Sequence, residues 1–241
     1  MNLMRTSTTL LTLALGTGLF ASCVLDARVK GTGPVVRKEI TVDPFHGVDL
    51  RGALDIKITK GATQKVEVEA QANIAELLQL EVRNGICRIS TIESYETSKP
   101  FTVHITLPAL DHVEVAGSGD VTSTTPFTME AMTVKVSGSG DVELAVQASS
   151  VKADLSGSGE IKLTGSASTL DAQLKGSGDI KAGNLKVDKA NARLTGSGDI
   201  TVNASTLDAT ITGSGDVKYK GNKPVITQKV TGSGEVRHVD E

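Results

Sequence analysis

From residue 117 onward, large aliphatic residues alternate with polar ones in short runs that recur at nearly constant intervals. In Asp141-Val142-Glu143-Leu144-Ala145-Val146, every second side chain is valine or leucine. A period of two predicts β-strands with one buried face. Each interval holds two such strands, and the second repeats an alanine with leucine or isoleucine two places later. These pairs are Ala153 and Leu155, Ala172 and Leu174, Ala192 and Leu194, and Ala209 and Ile211. Residue types that recur once per interval are what the stacked coils of a β-solenoid require.

A tetrad, Gly-Ser-Gly-Asp/Glu, separates the intervals and occurs seven times, at spacings of 21, 19, 19, 20, 17 and 19 residues. Glycine reaches the positive φ values of sharp turns at little cost, and Ser or Asp side chains can bond turn amides. We therefore interpret the tetrad as a structural turn motif. Its first glycine and its acid are, in successive copies, Gly117 and Asp120, Gly138 and Asp141, Gly157 and Glu160, Gly176 and Asp179, Gly196 and Asp199, Gly213 and Asp216, and Gly232 and Glu235.

Stacked coils place these seven acids in one column. Two carboxylates about 4.8 Å apart repel by roughly 1 kcal/mol in water and by about 3.5 kcal/mol at an effective dielectric constant of 20. Something must offset that repulsion, and we predict that turn amides and water do so. Cations that bridge successive coils are the alternative. An RTX-type calcium site is not expected, because RTX repeats recur every nine residues and these recur about every nineteen.

Residues 34–116 read as degenerate coils of the same solenoid, since Val48–Ile56 parallels Val113–Val121 position by position. Further strands are predicted at residues 64–69, 87–92 and 101–107. One helical pattern interrupts them at Asn73–Leu78, with Asn73 as its N-cap. We expect this helix to cover the open end of the stack, because terminal coils need caps. The sequence thus predicts an all-β solenoid with coils of about 19 residues and a short helix in its N-terminal part.

The first residues have the features of an export signal. Arg5 precedes an apolar run at 10–20 that is too short to span a bilayer, and Ala21-Ser22-Cys23 is similar to the lipobox of bacterial lipoproteins. We predict a lipoprotein signal peptide over 1–22 with lipidation at Cys23. A tether over 23–33 and a single solenoid domain over 34–241 follow, with the tetrad coils at 117–241. The alternative is an ordinary secretory signal, with Cys23 incidental.

Composition narrows the possible functions. Arg5 is the only charged residue of 1–22, so the remaining chain has 24 basic and 28 acidic residues and a net charge of −4. Without a basic surplus, no nucleic-acid partner is expected. Cys87 lies in an alternating run and is predicted to be a buried, inert thiol. Histidines are scattered, and the acids recur in every coil rather than at one point, so we expect no catalytic residues, no metal site and no cofactor.

The tetrads resemble those of a known family. Together with Phe45-His46-Gly47-Val48-Asp49-Leu50 and Asp55–Gly61, they are similar to the head GIN domain of auto-transporter adhesins (DUF2807), over about residues 35–238. That resemblance implies a right-handed parallel β-helix like that of pectin lyases. It also implies an adhesive role at the cell surface and no recognised catalytic residues.

These observations lead to one functional interpretation and two alternatives. We expect a non-catalytic lipoprotein of the cell envelope, anchored in the outer membrane and facing the periplasm or the surface. Its partners are the membrane, through the lipid anchor, and a glycan or protein ligand at the cell surface. A purely structural envelope protein is the first alternative. A carbohydrate-active enzyme of the pectin-lyase type is the second, and the scarcity of aromatic residues for sugar stacking weighs against a stacking mode of glycan binding.

Overall fold

The structure is a computed structural model, and it describes residues 28–221 and 224–240. Cys23 and the predicted signal peptide therefore lie outside the described residues. The N-terminal elements are β1 (Val29–Lys30), β2 (Val35–Glu39), β3 (Gly47–Gly52), β4 (Asp55–Lys60), β5 (Lys65–Gln71), α1 (Ala72–Ala75), β6 (Leu78–Arg83), β7 (Ile86–Thr91), β8 (Tyr95–Glu96), β9 (Thr102–Leu107) and β10 (His112–Gly117). Five long strands follow: β11 (Val121–Gly138), β12 (Val142–Gly157), β13 (Glu160–Gly176), β14 (Asp179–Gly196) and β15 (Asp199–Gly213). The last elements are β16 (Val217–Lys220), β17 (Val225–Gly232) and β18 (Val236–His238).

Most strands form a parallel stack of about seven coils, which confirms the predicted solenoid with coils of about 19 residues. The pairs β2–β5, β5–β9 and β6–β7 in the N-terminal part are antiparallel. Strands β10 to β15 pair in sequence order, each parallel to the next, and β3 extends the stack below β10. The tetrads fix the register, because Gly157 pairs with Gly176 and Ala153 with Ala172 between β12 and β13. The alanines that repeat along the sequence therefore lie above one another.

Each long strand is almost a complete coil, bent into two faces. In β12, Val142, Leu144 and Val146 point inward from the half-coil after the tetrad, which we call the first face. The half-coil before the next tetrad, with Val151–Leu155, is the second face. Val146 and Val151 both point inward although they are five positions apart. Because five is an odd number, the alternation of inward and outward residues changes phase where the chain bends. Burial of each large aliphatic side chain contributes about 1.5–3 kcal/mol, and the fully buried alanine column keeps the two faces close together.

The N-terminal part follows the same register. Val48 pairs with Val113, Gly52 with Gly117, and Ile56 of β4 with Val121. The tetrad has become Gly52-Ala53-Leu54-Asp55, and Leu54 is buried where later coils have glycine. A side chain fits there because β7, the strand paired with β3 on its other edge, matches it only up to Leu50. No stacked turn therefore lies against that position in the described chain.

The helix differs from its prediction. It spans only Ala72–Ala75, Leu78 already begins β6, and the N-cap residue is Gln71 without a side-chain cap bond. Asn73 as N-cap was therefore wrong. Its side chain instead accepts from the Thr32 amide (2.9 Å) and donates to the Lys30 carbonyl (2.7 Å), which ties the start of the chain to the helix.

The described residues begin within the segment predicted as a tether. Strand β1 pairs in parallel with β8 through Val29 with Tyr95 and Lys30 with Glu96. The strands predicted over 64–69, 87–92 and 101–107 are confirmed as β5, β7 and β9, with boundaries shifted by one or two residues. Within the described residues, no helix is long and apolar enough to cross a membrane.

Candidate functional site: stacked turns and the second face

The first glycine of every tetrad has a positive φ, between 126° and 137°. In the six tetrads before the last, the carbonyl oxygen of this glycine accepts two amides of the next coil; that of Gly117 accepts from Ser139 (2.9 Å) and from Gly140 (3.1 Å). A Cβ atom on Gly157 would lie 2.1 Å from the carbonyl oxygen of Gly138. Glycine is therefore required here both by the backbone conformation and by the close approach of the adjacent turn.

The second glycine of the tetrad points inward and has no room for a side chain. A Cβ atom on Gly159 would lie 2.1 Å from the carbonyl oxygen of Gly140. Ser139, between two such glycines, is exposed and contributes its amide rather than a buried side chain. The turns thus stack backbone on backbone, and every tetrad position has its own physical requirement.

The acid column has a defined set of partners. In most coils the backbone amide of one acid donates to the carboxylate of the acid in the preceding coil. These bonds join Asp120 to Asp55 (3.3 Å), Asp141 to Asp120 (2.9 Å), Glu160 to Asp141 (2.8 Å), Asp199 to Asp179 (3.1 Å), Asp216 to Asp199 (3.0 Å) and Glu235 to Asp216 (3.2 Å). The exception is Asp179, which follows the longer Glu160 and donates to the carbonyl of Gly159 (3.1 Å) instead.

Basic side chains complete this arrangement. Lys181 contacts Glu160, Lys218 contacts Asp199, and Arg237 Nε lies 3.3 Å from Asp216 Oδ2. Each base stands two residues after the acid of the next coil. Each of these three acids therefore lies beside a basic side chain of the next coil. That positive charge offsets the repulsion between stacked carboxylates.

The direction of the pKa shift differs between acids of the column. At Asp199, burial opposes ionisation, but the hydrogen bonds from Lys218 and from the amide of Asp216 outweigh it and lower the pKa. At Asp141, burial and the neighbouring carboxylates raise the pKa despite the amide bond from Glu160. Among the residues the structure describes, no group of three or more His, Cys, Asp or Glu side chains is arranged to hold a metal ion.

The remaining reactive residues are dispersed. Cys87 is a free, fully buried thiol, and burial raises its pKa to about 12. His46 lies 2.8 Å from Asp111, just before β3 and β10, and His104 of β9 lies 2.9 Å from Glu69 of β5. A buried protonated thiol and separate histidine–acid pairs provide no shared catalytic centre at these positions.

The outward positions of the second face do not repeat, in contrast to the core. A cleft of about 350 Å³ crosses β11 to β14 and is lined by the aliphatic Met132, Val151 and Leu170 and by polar side chains. The polar side chains are Thr133, Ser150, Lys152, Thr169, Asp171, Lys189 and Asn191. Met132, Val151 and Leu170 are core side chains at most 2% exposed, so the polar side chains are what this cleft presents to a ligand.

Hydrogen bonds hold part of this polar lining in place. Arg193 NH1 donates to Asp171 Oδ1 at 3.0 Å. With its amide oxygen turned toward the guanidinium, Asn191 accepts from Arg193 NH2 at 2.7 Å. Arg193 therefore orients an acid and an amide on neighbouring coils, while parts of both side chains remain available to solvent.

A smaller cleft of about 180 Å³ adjoins the first and is lined by Asp154, Gln173 and Lys175 among others. Asp154 Oδ2 lies 3.2 Å from Lys152, whereas Asp154 Oδ1 is buried and has no hydrogen-bond partner. A buried acceptor of this kind is costly unless a donor reaches it. We call Lys152, Asp154, Asp171, Gln173, Asn191 and Arg193 the polar field of the second face.

Sequence reasoning did not find the polar field. The sequence nevertheless contains a signal for the polar field, because the register of the repeat predicts which outward residues lie in one column. That column reads Lys135, Asp154, Gln173, Arg193 and Thr210, whereas the inward columns on either side hold one residue type or close relatives. Variation at outward positions of a strict repeat was the feature to look for.

A second charged cluster lies toward the N-terminal end. Asp49 has a side chain only 8% exposed and contacts both Arg51 and Arg88, while Arg51 also donates to Glu114 (2.7 Å). The hydrogen bond that Arg51 donates to Asp49 is the main cause that raises the pKa of Arg51. These charges satisfy one another, so the cluster acts as an internal network of the sheet.

The geometry defines the class of protein: a β-solenoid closed by stacked glycine turns, with a variable polar face. The chain belongs to the family described as "Putative auto-transporter adhesin, head GIN domain", whose profile matches residues 44–223. This confirms the resemblance drawn from the tetrads.

Solved structures agree with that assignment. A putative adhesin from Bacteroides fragilis is 26% identical, with a TM-score of 0.81 over 88% of this chain and 100% of that one. A putative lipid binding protein from Parabacteroides distasonis is 26% identical, with a TM-score of 0.73 over the same shares. A putative adhesin from the same organism is 25% identical, with a TM-score of 0.67, again over 88% and 100%. The search of curated proteins found no match.

Proposed function

We propose that this protein is a non-catalytic adhesion module of the cell envelope that binds a hydroxyl-rich ligand, a glycan, on its second face. The observation that carries the proposal is the polar field, a non-repeating set of polar side chains displayed on a repeating scaffold. A regular core needs no such variation at its surface. Membership of an adhesin family supports a binding role.

The chemistry of the field favours a glycan. The ammonium group of Lys152 and the amide of Gln173 can donate to sugar hydroxyls, and those hydroxyls can donate in return to an accessible carboxylate. Asp171 and Asn191 offer further acceptors beside the Arg193 guanidinium. Planar amide, carboxylate and guanidinium groups replace aromatic stacking as the means of holding the ligand.

The proposal includes a lipid anchor. Residues 1–22 serve as a signal peptide, Cys23 is acylated, and residues 34–241 form one solenoid domain held at the outer membrane. The support is the Ala21-Ser22-Cys23 sequence together with the cell-surface role of the adhesin family.

The test is a glycan and host-matrix array probed with the chain from residue 24 onward, which contains every described residue. We expect binding to a glycan, and Asp171→Asn should weaken it at least about tenfold, since bonds to charged groups contribute about 1.5–3 kcal/mol. Asp208→Asn is the matched control, because Asp208 stacks in the same column beyond Asn191. Equal losses in both variants would refute the site. Absence of any binding would favour a purely structural envelope protein.

A further inference from the structure

The C-terminal end of the stack has unpaired strand edges. Strand β17 pairs with β15 and β18 pairs with β16, and neither has a second partner strand among the described residues. Half of the backbone N–H and C=O groups of these strands therefore point away from the stack. Exposed edges of this kind are templates for pairing with another strand.

Among the residues that the structure describes, no further coil covers the interior of the solenoid at this end. By register, Ile226, Gln228 and Val230 stack on Leu207, Ala209 and Ile211, which are fully buried. Val230 is nevertheless 39% exposed and Val225 is 69% exposed, and Gln228 is exposed as well. Strand β17 holds two of the four large exposed hydrophobic residues in the described chain.

We propose that this end binds a second copy of the same chain, with β17 antiparallel to its counterpart and the twofold axis at Gln228. In that register Ile226 faces Val230 of the second copy, so the inward apolar side chains meet. The two Gln228 amides face each other, and each has both a donor and an acceptor. Lys229, the one charged residue of β17, faces Thr227, so no like charges are opposed.

The shape of the two ends favours a second copy over other occupants. The terminal coil of one copy has the same cross-section as the terminal coil of a second copy, so the two match in outline. A contact with twofold symmetry is complete once two subunits have joined. The N-terminal end is different, because its outermost strand in the stack, β6, runs antiparallel to β7 and carries Glu81 and Arg83. The inward residues Leu80 and Val82 of β6 are as apolar as Ile226 and Val230 of β17, so the two ends differ in strand direction rather than in polarity. A head-to-tail contact would set an antiparallel hairpin against a parallel coil, whereas a twofold contact joins two identical coils, so we expect dimers rather than filaments.

The dimer has a consequence that rests on the proposed lipid anchor. Residue 28 and β1 lie with the N-terminal strands, since β1 pairs with β8 and Gly31 lies against Gln71. Two copies joined at their C-terminal coils then carry their anchors at opposite ends. Anchored chains would connect two membranes, which is homotypic adhesion.

Disulfide trapping tests the register. In the chain from residue 23 onward with Cys23→Ser, Gln228→Cys should form a covalent dimer on mild oxidation, because facing residues of antiparallel strands are about 4.5–5.5 Å apart at Cα. Lys229→Cys is the control. Lys229 faces Thr227 of the second copy, so the two introduced cysteines would be offset by two residues and should not form a disulfide. Cys87 is buried and should not react. Equal crosslinking of both variants would overturn the register.

Sedimentation tests the dimer itself. The same Cys23→Ser chain should be dimeric at about 100 μM, and Gln228→Glu should weaken association at least about tenfold at neutral pH by opposing two carboxylates. Gln173→Glu, a glutamine on the second face, is the control and should leave the dimer intact. A chain that stays monomeric, or that forms filaments, overturns the proposal.

Vesicles test the consequence separately. Chain from residue 23 onward, coupled through Cys23 to maleimide lipid, should cluster vesicles, and Gln228→Glu should abolish the clustering. A dimer in solution without clustering refutes membrane bridging and leaves the dimer standing. The lipid anchor has its own test, by fatty-acid labelling of Cys23.

Discussion

At the scale of single residues, each of the four tetrad positions has a different structural role. The first glycine adopts positive φ and offers a carbonyl to two amides, as Gly117 does toward Ser139 and Gly140. The serine stays outside, and the second glycine lets adjacent turns approach. The acid accepts the next coil's amide with one oxygen, and at Asp199 it contacts Lys218 with the other. Repulsion within the column is thus offset by protein groups.

Gly176→Ala tests the first position. Gly176 has φ +129°, and a Cβ there would lie 2.3 Å from the carbonyl oxygen of Gly157. Strain alone should cost about 1–3 kcal/mol, and displacement of the stacked turn should add to it. Thermal melting measures the loss. The exposed neighbour Ser177→Ala should change stability by no more than about 0.5 kcal/mol. Similar melting temperatures for the two variants would show that the turn does not need glycine.

At the scale of elements, each coil contacts chiefly the coils on either side. Strand β13 pairs with β12 and β14 from its first residues to its final glycine. Stability of such a stack is roughly a sum of coil terms and contacts between neighbours. A coil is therefore a removable unit, whereas half a coil is not.

Deletion of a whole coil, residues 157–175, joins Ser156 to Gly176 and should leave a folded protein with modestly lower stability. Asp141 would then receive the amide of Asp179, and the alanine and leucine columns would close by one layer. Deletion of residues 157–167 removes a turn and one face, so that protein should misfold or aggregate because a strand edge and an apolar face remain unpaired.

Circular dichroism and thermal melts compare the two deletions with the full chain. Equal damage from both would mean that the coil is not the unit of folding. The whole-coil deletion also removes Asp171 and Gln173, so it should lose glycan binding while it keeps its fold.

At the scale of the whole molecule, the solenoid separates three tasks along its length. The N-terminal part holds β1 and leads to the proposed anchor, the middle coils display the polar field, and the last coil presents an open edge. The stack places these regions at different distances from the proposed anchor. That arrangement suits a module that reaches outward to a ligand or to another copy of itself.

Cys23→Ser should release the protein from the membrane fraction and abolish its labelling by a fatty-acid probe, because stable anchoring depends on acyl chains buried in the bilayer. Cell fractionation and metabolic labelling measure both effects. Cys87→Ser is the control and should leave labelling unchanged, since that thiol is buried. Labelling that persists in Cys23→Ser would refute the anchor.

The sequence by itself determined the fold class, the coil length, the turns and most strands. Alternation is a local property, and a repeated tetrad fixes the register of each coil against the next, as Gly157 against Gly176 shows. Degenerate coils were recognisable for the same reason, because Gly52 keeps its place under Gly117. Core residues follow from alternation once the phase of each strand is known.

Only the tertiary structure decided which distant side chains meet. Asn73 is bonded to Thr32 and Lys30 about forty positions away, and those partners replaced the local cap that its sequence predicted. The polar field joins outward residues of separate coils, whose neighbours are set by stacking and not by sequence distance. The exposure of Val230 likewise depends on its lying in the last coil, since the same inward position is buried wherever another coil covers it.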